Sequence, residues 1–65
     1  DKKCIAILVD SKVSTDKLAD VFAEATKLRE QGNIVTVQPL NKNAKFQIQK
    51  LEEDGYSEFR KVYND

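Results

Sequence analysis

One segment near the start of the chain, Cys4 to Val9, is apolar at every position. A strand with one face in water alternates apolar and polar residues, whereas a strand covered on both faces shows no such alternation. The run ends at Asp10 and Ser11. Because it is the most uniformly apolar segment of the sequence, we predict a first strand at the centre of a sheet, with a layer of structure on each face.

A helical pattern follows this strand. Its apolar residues recur at helical spacing within a stripe about 120° wide; they are Leu18, Val21, Phe22, Ala25 and Leu28. Ser14 or Thr15 precedes the stripe and is suited to cap the helix. Gly32 follows it, where a left-handed C-terminal cap is expected. We therefore predict one long helix whose stripe, Phe22 included, faces the sheet.

Two further strands are predicted in the second half of the chain. The β-branched run from Ile34 to Val37 predicts the second, which Pro39 closes because proline has no N–H for a sheet ladder. Phe59 to Tyr63 predicts the third. With helices between the strands, and with right-handed crossovers, residues 1–65 form a single three-layer α/β/α domain. The elements run β-α-β-α-β, the parallel strands are ordered 2-1-3, and one helix lies on each face of the sheet.

The carboxyl ends of the strands define a candidate ligand site. In folds of this kind the chain reverses direction beside the first strand, and ligands bind in the crevice there. Here that crevice would involve Asp10, Ser11 and Asn64. Two roles remain open for Asp10 and Ser11: contact with a ligand, or termination of the strand at a turn.

The second predicted helix presents an aromatic residue away from its apolar face. That face consists of Ala44, Ile48 and Leu51, and the helix ends at Gly55. Phe46 lies about 160–220° around the helix from those residues. If the helix already includes Phe46, its ring points away from the sheet and can dock on a partner, with Gln47 supplying a hydrogen bond. If the helix starts later, Phe46 tucks under the first turn.

The composition excludes most catalytic chemistry. The chain has no histidine, one cysteine and two glycines, both at predicted helix ends. It therefore lacks the usual base of a nucleophile triad, a cysteine pair for a disulfide or zinc site, and a glycine-rich phosphate loop. We predict no catalytic residues, no cofactor and no metal.

Charge and length restrict the partners and the setting. Eleven basic residues balance eleven acidic ones, whereas domains that bind nucleic acid alone usually show a basic excess. No apolar run approaches the ~20 residues of a membrane span, so no membrane partner is expected. The single Cys4, which has no cysteine to pair with, fits the reducing cytoplasm. A core this small supplies little stability, so we expect the domain to belong to a longer chain.

Two motifs give the chain a family resemblance. The first reads Leu-Arg, two residues, Gly, two residues, Val, and spans residues 28–35; the second is Lys45, Gln47 and Gly55. With the surrounding pattern, over about residues 4–63, the chain resembles the anticodon-binding domain of class II aminoacyl-tRNA synthetases, in the histidyl branch. The resemblance implies a C-terminal domain with the anticodon-binding fold.

Two departures favour one branch of that family. Phe46 stands where the synthetases tend to be basic, and Leu51 where they usually have alanine. The chain is therefore most similar to the regulatory subunit of ATP phosphoribosyltransferase, a synthetase paralogue that does not charge tRNA. The resemblance implies a non-catalytic role in assembly and allosteric regulation at the first step of histidine biosynthesis. The implied partners are the catalytic subunit of that enzyme and other domains of the same chain, with tRNA a partner only if the chain is a true synthetase domain.

Overall fold

A computed structural model describes residues 2–64, which form three strands and two helices. In chain order these are β1 (Cys4–Val9), α1 (Thr15–Glu30), β2 (Ile34–Pro39), α2 (Ala44–Glu53) and β3 (Glu58–Val62). Both neighbouring strands run parallel to β1, and their order is β2-β1-β3. The predicted α/β topology is therefore confirmed.

The side chains of β1 are divided between two apolar cores. The odd-numbered ones pack with α1, in a cluster of Ile5, Ile7, Val9, Val21, Ala25, Leu28 and Val35. The even-numbered ones pack on the α2 side, in a cluster of Ala6, Leu8 and Leu51. Side chains of a strand alternate between the faces of a sheet, so a strand apolar at every position can face two cores. This arrangement makes the domain three layers thick.

Short-range signals fix the helix ends. The Ser14 hydroxyl accepts a hydrogen bond from the Lys17 backbone N–H at 3.2 Å, and the Asn43 side-chain oxygen accepts one from the Phe46 N–H at 3.2 Å. Gly32 follows α1 with φ of 97°, a left-handed conformation that side chains with a Cβ adopt only at a cost. The Ser14 cap and Gly32 confirm the ends predicted for α1, whereas the Asn43 cap fixes a start of α2 that the sequence left open.

The sequence prediction for Phe22 is wrong. Its side chain is 51 % exposed, whereas Val21 and Ala25 are buried. Phe22 lies at the margin of the apolar stripe, and α1 packs over β1 and β2. Phe22 lies on the side of β2, which is an edge strand, so no further strand extends beneath the ring to cover it.

The third strand begins and ends one residue earlier than predicted. It spans Glu58–Val62 instead of Phe59 to Tyr63. Val62 pairs with Val9, the last residue of β1. The chain turns at Asp10, so Tyr63 has no strand residue opposite it.

Within residues 2–64, neither helix has the length and apolarity to cross a bilayer.

Candidate functional site

The outer face of α2 carries Phe46. The helix begins at Ala44 and therefore includes Phe46 in its first turn. The Phe46 side chain is 57 % exposed, while Leu51 on the opposite face is 6 % exposed. Of the two predicted arrangements, the structure has the one in which the ring points away from the sheet.

The surroundings of Phe46 are polar and of mixed charge. Gln49, Lys50 and Glu53 lie three, four and seven residues further along α2, on the same face as Phe46. All three are exposed. One basic and one acidic group thus accompany the ring. An aromatic side chain with a polar rim is the usual composition of an anchor in a protein–protein interface.

Gln47 has a different role from the one predicted. It is the only buried polar side chain among residues 2–64. Its side-chain oxygen accepts a hydrogen bond from the Asn41 N–H at 2.9 Å, and its side-chain amide donates to the Pro39 carbonyl oxygen at 2.8 Å. A longer bond of 3.4 Å reaches the Gln38 side-chain oxygen. These internal partners tie the start of α2 to the end of β2, so Gln47 is not free to bond a docked partner.

Asp10 and Asn64 lie at the predicted crevice. Both form hydrogen bonds that hold the segments following β1 and β3 in place. The Asp10 backbone N–H donates to the Val62 carbonyl oxygen at 2.9 Å, and the Asp10 carboxylate accepts from the Lys12 N–H at 3.3 Å. The Asn64 side-chain oxygen accepts from the Ser14 N–H at 3.2 Å. These bonds describe strand termination, the second of the two roles open to Asp10. Ligand contact at this crevice stays a prediction.

Two hollows lie between the sheet and α1. One of about 310 Å³ is at the carboxyl ends of β1 and β2, where Asp10, Ser11 and Phe22 contribute to its lining. It lies on the β2 side of β1, not on the β3 side where the crevice was predicted. A second of about 610 Å³ separates α1 from β3 and has Ile7 and Val62 in its lining. No motif in the sequence indicates this cleft, which forms because a helix packed over β1 and β2 leaves one face of β3 uncovered.

Two kinds of site are absent from the described residues. No cluster of three or more histidine, cysteine, aspartate or glutamate side chains within residues 2–64 has the geometry of a metal site. Every buried side-chain nitrogen or oxygen in that part of the chain has a hydrogen-bond partner.

Comparison with protein-family models, with curated proteins and with solved structures found no match to this chain.

Proposed function

We propose that this chain is a non-catalytic docking domain that binds a protein partner through Phe46 on the outer face of α2. The observation that carries the proposal is the 57 % exposure of a phenylalanine whose helix is otherwise anchored by its opposite face. Leaving an aromatic ring in water forgoes the free energy of its burial. A partner that covers the ring gains that energy on binding.

The resemblance supplies the identity of the partner. We propose that the domain belongs to a regulatory subunit of ATP phosphoribosyltransferase and serves its assembly with the catalytic subunit and its allosteric regulation. Support comes from the residue 28–35 motif, from the β-α-β-α-β order that the anticodon-binding fold implies, and from Phe46 at a position where the synthetases tend to be basic. The single Cys4 supports a cytoplasmic setting.

The alternative, a tRNA-binding synthetase domain, has less support. Lys45 and Lys50 are exposed on α2, but Glu52 and Glu53 are exposed on the same helix. A surface that neutralises several phosphates needs clustered basic groups. The acidic residues of α2 repel phosphate groups and so oppose binding of nucleic acid to this helix.

The test is a calorimetric titration of the chain with a purified short-form catalytic subunit. Phe46→Ala is expected to weaken binding by about 5- to 30-fold, or ~1–2 kcal/mol. Phe22→Ala is the matched control, because Phe22 is similarly exposed but lies on α1. We expect it to leave binding unchanged.

Three results would contradict the proposal. The first is no binding to the catalytic subunit, and the second is an equal loss of affinity for the two variants. The third is tight binding to tRNA at physiological salt that falls steeply as salt is raised, the signature of phosphate neutralisation. That result would favour the synthetase domain.

A further inference from the structure

The two edges of the sheet differ in how well their backbones are protected. On β2, the Ile34 N–H donates to Lys3 and the Leu40 N–H donates to Val9, so the even-numbered residues face β1. The backbone groups of Val35, Val37 and Pro39 therefore point outward. Outward-facing backbone groups on an edge strand are a template for pairing with another strand.

The outer edge of β2 is partly blocked by the domain itself. The Arg29 guanidinium donates to the Val35 carbonyl oxygen at 2.8 Å, and the Gln47 amide donates to the Pro39 carbonyl oxygen at 2.8 Å. Pro39 has no N–H to offer. A further strand could reach the backbone groups of Val37 and the Val35 N–H, but it would have to break these bonds to pair along the full edge.

The outer edge of β3 has no such protection within residues 2–64. The Val62 carbonyl accepts from the Asp10 N–H and so faces β1. Alternation along the strand then turns the N–H and carbonyl groups of Phe59 and Lys61 outward. No side chain of the described residues hydrogen-bonds to either of them. The 610 Å³ cleft on one face of β3, and a hollow of about 560 Å³ that Lys61 lines with Ile48, leave this edge accessible from both sides.

We propose that β3 pairs with β3 of a second copy of this chain, antiparallel and about a two-fold axis at Phe59. Charge complementarity favours a second copy as the occupant of this edge. Glu58 and Arg60 lie on the same face of the sheet, because they pair with Ile5 and Ile7 of β1. In this register Glu58 of each copy lies opposite Arg60 of the other. A two-fold axis at Arg60 or at Lys61 would instead set that residue against its own copy, and like charges directly opposite each other disfavour pairing.

The charges of β3 are already held in place for this pairing. Arg60 Nη2 lies 2.8 Å from the Glu58 carboxylate, and Arg60 Nη1 lies 3.5 Å from that of Glu24. Two copies would join the Glu58–Arg60 pairs into a ring of alternating charge. The same charges oppose pairing with a strand of unmatched sequence, so they select the partner. This surface is separate from Phe46 on α2.

The experiment is sedimentation equilibrium of the chain over increasing concentration, in which we expect a dimer. Lys61→Pro removes an outward N–H that β1 does not use, and it is expected to weaken the dimer by about tenfold or more. Lys61→Ala keeps the N–H and is the matched control, with the dimer expected to persist. Circular dichroism verifies that both variants keep their fold.

A mixing experiment tests the register. Glu58→Arg makes the facing positions all basic and Arg60→Glu makes them all acidic, so each variant alone should be monomeric. Mixed together, they should form a heterodimer, because each Arg then faces a Glu of the other copy. Neither variant retains the internal Glu58–Arg60 pair, so the recovery reports intermolecular pairing only.

The proposal is overturned if the unaltered chain remains monomeric up to about 1 mM, where even weak association is detectable. It is also overturned if the two charge variants fail to associate when mixed, or if Lys61→Pro leaves the dimer as tight as Lys61→Ala does. Phe46→Ala should not alter the dimer, which separates this result from the proposed docking function.

Discussion

Gln47 shows how one buried polar side chain can join three parts of a small domain. Its amide group bonds to Asn41 and to Pro39, so the loop before α2 and the end of β2 are held to the same residue. A buried amide without partners destabilises the fold, whereas a satisfied one contributes a modest net amount. Because the contacts lie at the junction of an edge strand and a helix, this residue sets where α2 begins relative to the sheet.

Replacing Gln47 by Leu is expected to lower the free energy of unfolding by about 1–2 kcal/mol. The volume is similar, but the Asn41 N–H and the Pro39 carbonyl oxygen lose their partner. Gln49→Leu, on the exposed face of the same helix, is the control and should change stability by less than about 0.5 kcal/mol. Urea unfolding measures both variants. An equal effect of the two substitutions would show that the Gln47 hydrogen bonds add nothing.

The helices illustrate what an element needs from its own sequence. Each is preceded by a side chain that accepts a hydrogen bond from a backbone N–H of the first turn; this residue is Ser14 for α1 and Asn43 for α2. Each helix is also followed by a glycine of positive φ. These features act over three or four residues and do not depend on the rest of the fold. The strands differ, because β3 ends where β1 stops offering a partner.

Ser14→Ala is expected to destabilise the domain by about 1 kcal/mol, because the Lys17 N–H loses the acceptor that caps it. Ser14→Asp should retain most of the stability, since a carboxylate is also a good N-cap and favours the positive end of the helix dipole. Thermal unfolding followed by circular dichroism compares the two. If both variants lose the same stability, the hydroxyl cap is not the source of the effect.

At the scale of the whole molecule, β1 holds the two halves together. Ala6 and Leu8 are buried against the α2 side, and Ile5 and Ile7 are buried against the α1 side. A single core of this size seldom supplies more than roughly 3–5 kcal/mol. The smaller cluster under α2 is therefore sensitive to the loss of any one of its large side chains.

Leu51→Ala is expected to lower the free energy of unfolding by about 2–5 kcal/mol, enough to leave a measurable fraction of the chain unfolded at room temperature. Phe46→Ala, five residues away on the exposed face, should change it by less than about 0.5 kcal/mol. Chemical unfolding of the isolated chain gives both values. A large loss for Phe46→Ala would place that ring in the core and contradict its role as a docking anchor.

The sequence by itself determined the five elements, their order and the central position of β1. An unbroken apolar strand, two capped helices and two terminal glycines are local signals, and each acts within a few residues. The angle of Phe46 to Leu51 around the helix predicted an outward ring only if α2 includes Phe46, and the structure decided that it does. Gln47 had a usable signal too, since it lies one turn before Leu51 on the buried side.

Only the tertiary structure decided which surfaces are covered. Phe22 lies in the apolar stripe of α1 yet is half exposed. Its burial depends on how far the sheet extends beneath α1, which the sequence of the helix does not set. The partial protection of the β2 edge depends on Arg29 and Gln47 reaching carbonyl groups six and eight residues away. The open edge of β3 depends on its having a neighbour on one side only. Burial and edge protection are properties of elements packed together, and local periodicity carries no information about how many neighbours an element has.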